Sequence, residues 1–164
     1  MLAIYVKSTD PFFNLALEEC LFKSLQPDHP GIFLVWQNTP SVIVGRHQNT
    51  AGEVDQDFCT ANDIGIVRRS TGGGAVYHDL GNVNFSFITQ VKKNRIGGFE
   101  EFMIPMVRAL RSLGVNAQFS SRNDIIVDGR KLAGTAQMQN GTKILHHGCL
   151  LVGVDFSKLS LALK

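Results

Sequence analysis

RRSTGGGAVYHDLGNVN, Arg68 to Asn84, packs two arginines, three consecutive glycines, a histidine, an aspartate and two asparagines into seventeen residues. Folding alone rarely asks for that density. Three glycines in a row forfeit conformational entropy that a structural turn seldom gives up, and they let the backbone come close to a ligand. Gly72, Gly73 and Gly74 therefore read as a cradle between two strands, one through Ile64, Ile66 and Val67 and the next through Ala75, Val76 and Tyr77. A Walker A loop is excluded, because no Gly-Lys-Ser/Thr follows and no helix pattern opens on the last glycine. The G-x-G-x-x-G spacing of a dinucleotide site is absent as well. What is left is a strand-loop-strand site for an anion and an acyl group.

Outward from this loop, 164 residues suffice for one domain with a real core. Hydrophobic residues at 44% and charged ones at 18% exclude an intrinsically disordered chain. Lys plus Arg number 16 against 14 Asp plus Glu, and no basic run or aromatic-basic interleaving points to nucleic acid. No apolar run approaches a membrane span, and the N-terminus enters a strand pattern without a signal-peptide or transit-peptide character. A cytoplasmic protein is expected, binding neither nucleic acid nor membrane. Cys20, Cys59 and Cys149 are odd in number and unpaired by spacing, so they read as reduced thiols rather than a disulfide framework or a zinc site.

Along the chain, Leu2 to Val6 reads as a strand, and Asp10-Pro11 supplies the cap and first-turn proline of a helix to about Leu25, with Phe13, Leu17, Cys20, Leu21 and Ser24 on one face. Ile32 to Trp36 and Val42 to Val44 read as strands joined by a turn at Asn38-Thr39-Pro40, and Val54 to Asn62 as a short helix. After the polar loop VKKNRIGG, Phe99 to Leu113 has a helical stripe of Phe102, Met106, Leu110 and Leu113, stopped by Gly114. Val115 to Phe119, Ile125 to Val127, Lys131 to Gln137 and Ile144 to Val152 are strands, with Asp128-Gly129 a hairpin turn. The class is α+β, with helices packed on one side of the sheet.

Four ordered stretches carry a resemblance. The loop, extended as RRSTGGGAVYHDLGNVNFSF, is similar to the RRxSGGGAVYHDxGNxNxSF signature of the lipoate-protein ligases and their lipoyltransferase relatives. WQNTPSVIVGRHQN (Trp36 to Asn49), SRNDIIVDGRKLAGTAQ (Ser121 to Gln137) and HHGCLL (His146 to Leu151) resemble that family's WxNxPxVVIGRxQN, GRNDLxxDGRKISGxA and HHGTLL. The resemblance implies a biotin/lipoate ligase-like catalytic domain with a mixed, mostly antiparallel sheet. It also implies a two-step acyl transfer: the lipoate carboxylate attacks ATP to give lipoyl-adenylate, and the lipoyl group passes to a lysine of a lipoyl domain. Expected acceptors are lipoyl domains of 2-oxoacid dehydrogenase complexes or the glycine cleavage H protein. Biotin ligases share the chemistry, but their loop interleaves arginines with glycines.

Joining a carboxylate to ATP brings two anions together, so the site must first supply positive charge and backbone donors. By resemblance, Lys131 is the catalytic residue, contacting both the acyl carbonyl and the α-phosphate. Arg69, Gly74, Ala75, Val76 and Tyr77 would bind ATP and the adenylate, with Arg69 gripping an anion bidentately and Arg68 facing outward. Arg46, Gly72, Gly73, His78 and His147 would bind lipoate, while His146 is structural. His78 and Asp79 are neighbours on a strand, point to opposite faces, and cannot form a dyad; Asp79 is a turn former. Asp124, beside Asn123, is the Mg2+ candidate, with a turn or cap role as its alternative.

Cys149 stands where the ligases usually have threonine, which opens a rival octanoyltransferase mechanism through a cysteine thioester. Ala133 replaces a frequent serine near Lys131. Relatives continue past the position of Lys164, so the chain is expected to be the N-terminal part of a catalytic domain without its accessory domain. Such a chain would be a fragment or be completed by a second polypeptide, with an apolar surface open near its C-terminus. The alternatives to a ligase are a lipoyltransferase using ready-made lipoyl-adenylate and a non-catalytic binding module.

Overall fold

Two sheets and the helix between them position everything that follows. The computed structural model describes residues 1–91, 98–120 and 123–164; most of the VKKNRIGG loop lies outside the described residues. Strands β1 (Leu2–Tyr5), β2 (Ile32–Trp36), β6 (Asn82–Gln90), β7 (Ala117–Phe119), β8 (Asp124–Val127), β9 (Arg130–Asn140) and β10 (Lys143–Leu151) form a sheet in the order β1-β2-β6-β10-β9-β8-β7. Only β1 and β2 pair in parallel; the rest is antiparallel. The second sheet has the order β4-β3-β5, from β3 (Ser41–Val44), β4 (Gly65–Arg68) and β5 (Val76–His78). The strands β2 and β3, adjacent in sequence, thus belong to different sheets. The turn at Asn38-Thr39-Pro40 carries the chain from one layer to the next.

Helix α1 (Pro11–Ser24) starts where the sequence asks, with the Asp10 side chain accepting from the amides of Phe12 and Phe13. Its inward face is not the expected one. Pro11, Asn14, Leu15, Glu18 and Phe22 are buried, while Phe13 and Cys20 are exposed. The stripe is displaced by two positions, about 200° around the helix. Two polar residues cause this: Asn14 donates to the carbonyls of Ser8 and Gln37 and to the Asn38 side chain, and Glu18 meets partners inside the molecule. An apolar count cannot foresee polar groups held by specific partners.

Helix α4 (Phe99–Ser112) buries Phe102, Met103 and Val107, with Leu113 79% exposed rather than on the inner face. It lies on the opposite face of the large sheet from α1, which corrects the expectation of helices on one side. Adjacent residues of β10 demonstrate it: His146 stacks on Phe102 of α4, whereas His147 bonds Glu18 of α1. Side chains alternate faces along a strand, so the two helices must be on different faces. Phe85, Phe87 and Ile144 form the core under α4, and Leu34, Ile43, Ile88 and Leu145 the core under α1.

The small sheet is covered on its far side by α3 (Gln56–Ala61) and α5 (Phe156–Ala162), following the single turn α2 (Thr50–Glu53), with Val42, Val44 and Tyr77 in that core. Near the C-terminus Val152, Phe156 and Leu161 are each more than half exposed. The Asp128-Gly129 turn has positive φ at both residues, 49° and 76°, the geometry of a two-residue hairpin. Among the described residues no helix is long and apolar enough to cross a membrane.

Candidate active site

The glycine loop leaves β4, passes over the mouth between the two sheets and returns as β5. Arg69 sets its shape. The guanidinium is buried at 7% exposure and donates to Thr71 Oγ1, the Ile43 carbonyl and the carbonyls of Gly72 and Gly74, at 2.8 to 3.0 Å. Burial lowers its pKa from the ordinary value. This corrects the expected bidentate grip on an anion: the fork closes on the loop's own carbonyls. Arg68, one residue earlier, faces outward and holds the carbonyls of Gly45 and Gln48 and the Thr50 hydroxyl.

Loop and neighbouring turn fit with no slack. Arg46 N–H donates to the Thr71 carbonyl at 2.8 Å, and a Cβ on Gly45 would lie 2.1 Å from the Gly73 carbonyl oxygen. Gly45→Ala is therefore expected to displace the loop, and a misplacement near 1 Å can cost about 10²-fold in rate. Amide hydrogen exchange of the loop in the folded variant, with the fold checked by circular dichroism, measures the displacement.

A cavity of about 240 Å3 lies below, between α1, the small sheet and one face of the large sheet. Leu15, Trp36, Ile43 and Val76 make an apolar section, and Asn84, Asn123, Lys131 and Cys149 a polar one. Arg69, Gly73, Gly74, Ala75, His78 and His147 also line it. Arg46, Gly72, Tyr77 and Asp124 do not. The Arg46 side chain is exposed, Gly72 turns its carbonyl to Arg69, and Tyr77 points to the far core by strand alternation. Burial pushes the Tyr77 hydroxyl up to about 12, so it stays protonated.

Lys131 owes its direction to a backbone irregularity. Along β8 and β9, Ile125 pairs with Ala133 but Ile126 pairs with Lys131, so one step on β8 spans two on β9. Without this bulge Lys131, three residues from Gly134, would face the α4 side. The extra residue returns it to the cavity face. A Cβ on Gly134 would be 3.1 Å from the Lys131 amine, which therefore lies directly over that glycine. The amine pairs with Asp124 Oδ1 at 2.9 Å. No cluster of three or more His, Cys, Asp or Glu arranged to hold a metal exists among the described residues.

Both cavity histidines are tied from behind. Asn38 Nδ2 donates to His78 Nδ1 at 3.2 Å, and burial, then His147 and Arg69, pull the His78 pKa to about 3. The ring is neutral with its other nitrogen carrying the proton. His147 Nδ1 donates to both oxygens of the buried Glu18 carboxylate at 2.9 Å, and its Nε2 meets Thr71 Oγ1 at 2.7 Å. The same hydroxyl accepts from Arg69, so it ties the guanidinium to the His147 ring. Ser86 also donates to Glu18, and Trp36 donates to Ser86. Thr71 is fully buried and off the cavity wall, so the chain clamps the loop rather than activating a nucleophile.

His146, on the other face, is likewise held neutral by burial, with its pKa near 3. For both histidines the folded-state pKa lies below the ordinary 6.5, so the unfolded chain takes up protons first. Their contribution is complete above pH 6.5 and is lost as pH falls toward 3. Acid unfolding followed by tryptophan fluorescence is expected in that window, and His146→Phe should move its midpoint to lower pH.

Cys149 is buried at 8% exposure and lines the cavity wall. Burial raises its pKa, which disfavours the thiolate.

Residues 10–164 match the lipoyl protein ligase A/B catalytic domain. The chain belongs to this family. Lipoate-protein ligase 1 of Staphylococcus aureus is 47% identical over 156 residues, covering 95% of the chain and 47% of that relative. The chain thus spans about half the length of the curated relatives it matches. A lipoate-protein ligase A solved with ATP superposes with a TM-score of 0.89 at 32% identity, over 100% of the chain and 70% of the other. A bi-partite lipoate protein ligase of Thermoplasma acidophilum, studied with its E2 lipoyl domain, superposes at 0.88 and 32% identity, covering 99% and 65%.

For a lipoyl ligase domain, the residues missed by sequence reasoning are Glu18, Thr71 and Asn84. Glu18 sits in a helix whose apolar pattern pointed to a different inward face. The sequence signal available for it was an acidic residue on the stripe of Pro11, Leu15 and Phe22.

Proposed function

We propose that this chain carries the adenylation chemistry of an ATP-dependent lipoate-protein ligase, joining lipoate to ATP and passing the lipoyl group to a protein lysine. The supporting observation is the Lys131 amine, turned by the β-bulge onto Gly134 and lining the same cavity as Gly73, Gly74, Ala75 and Val76. The apolar section beside Leu15 and Trp36 suits the dithiolane and its chain; the polar section suits the carboxylate. A carboxylate oxygen attacks the α-phosphorus and pyrophosphate leaves. Lys131 offsets charge on both reactants as the P–O bond forms. An acceptor lysine amine then attacks the acyl carbon, the C–O bond to AMP breaks, and the same ammonium steadies the oxyanion.

Mg2+ would arrive on the triphosphate and screen its charge. Asp124 fits as a single carboxylate beside it, since Mg2+ is commonly held by one or two carboxylates plus phosphate oxygens. The acceptors proposed are lipoyl domains of 2-oxoacid dehydrogenase complexes or the glycine cleavage H protein. Both steps fit a cytoplasmic location.

Cys149 on the cavity wall supports a second reading, an octanoyl thioester intermediate, against which the raised thiol pKa weighs. Lipoate-dependent exchange of pyrophosphate into ATP separates the two, measured with lipoate, octanoate and biotin side by side. Exchange with lipoate and none with biotin is expected. No exchange with any of the three acids would overturn the ligase reading.

A further inference from the structure

Asn84 is the polar group in the cavity with nothing to bind. It is 1% exposed, and neither its Nδ2 nor its Oδ1 has a hydrogen-bond partner. Its neighbours on the same face of β6 are better provided for: Asn82 Oδ1 accepts from the Asp79 amide, although its Nδ2 has no partner, and Ser86 bridges Trp36 and Glu18. A buried carboxamide with no partner has given up its water without replacing it, so such a group calls for an occupant. Asn84 is on the cavity wall, and the register places it opposite Cys149, itself opposite Gly134, over which the Lys131 amine rests.

That row has a measurable span. Adjacent strands lie about 4.8 Å apart, so β6 and β9, with β10 between them, are separated by roughly 10 Å before either side chain leans inward. A carboxylate with one oxygen on each donor needs roughly 8 Å, two hydrogen bonds of about 2.9 Å plus its own width. The floor between them is the Cys149 side chain, a weak donor that competes poorly.

We propose that the Asn84 carboxamide is a second donor to the acyl carboxyl group, binding through Nδ2 one oxygen while Lys131 takes the other. This inference rests on the lipoate reading above. In it Asn84 is a catalytic residue: as the acceptor amine adds to the acyl carbon, the carbonyl electron pair moves to the oxygen Asn84 holds, where its Nδ2 and the Lys131 ammonium share the charge, and returns as AMP leaves.

The test uses the full chain and two readouts. In the unmodified protein, lipoate is expected to move the assigned Asn84 side-chain amide resonances in 15N-edited spectra, whereas ATP alone leaves them in place. In Asn84→Leu, which keeps the volume, calorimetry should show lipoate bound at least about ten-fold more weakly with ATP affinity unchanged, as for a lost hydrogen bond to a charged group. A misfolded variant would lose both ligands, and the spectra of the unmodified chain decide in that case. Lipoate binding that leaves the Asn84 amide unmoved overturns the proposal and spares the lipoate reading; no lipoate binding by the unmodified chain overturns both.

Discussion

Lys131→Ala is expected to lower lipoate adenylation by about 10²- to 10³-fold or more, the loss seen when a single donor to a developing oxyanion is removed. Folding should be nearly untouched. The side chain is 54% exposed and its pairing with Asp124 is partly open to water, where such pairs contribute little. The effect should appear in kcat more than in ATP affinity, because the loop backbone and β5 still hold the nucleotide. Lys131→Arg is not expected to rescue, because a planar guanidinium does not present one compact ammonium to the acyl and phosphate oxygens together. Pyrophosphate exchange on the purified variants checks both statements. Adenylation by Lys131→Ala within a few-fold of the unmodified chain would remove the role assigned.

The second large effect is expected from Glu18→Ala. Truncation strands Ser86 Oγ and His147 Nδ1 in the interior, and two unsatisfied groups at about 1–3 kcal/mol each imply a loss of about 2–6 kcal/mol in urea unfolding. It also frees His147 to rotate, loosening Thr71 and with it the glycine loop. Adenylation should therefore fall further than the folded fraction does. Glu18→Gln, which still accepts from Ser86, should lose less of both. A variant with full stability and activity would show that the Glu18, His147 and Thr71 chain holds nothing in place.

What could be read from the chain divides along physical lines. The glycine triplet, the flanking strands and the two-residue turn at Asp128-Gly129 are local features, written in residues whose backbone preferences act alone. The face of α1 was not legible, because Asn14 and Glu18 are buried by partners far along the chain. Arg69 was misread for a related reason. Its type suits an anion, but strand alternation turns it beneath the loop, where four groups of the loop and β3 use its donors first. The opposed placement of α1 and α4 follows from β6 and β10 being buried on both faces, a tertiary fact with no period of its own. Lys131 was singled out by motif, yet its orientation depends on a bulge that no residue at that point announces.

The central claim is that one amine, on the floor of one cavity, serves the acyl group and the nucleotide phosphate together. A crystal structure of the chain with a non-hydrolysable lipoyl-adenylate analogue tests it directly. The Lys131 amine is expected within hydrogen-bond distance of both the acyl oxygen and the phosphate mimic, with the acyl chain running toward Leu15 and Trp36. An analogue seated elsewhere, or seated in the cavity while Lys131 stays turned to Asp124 alone, would contradict it.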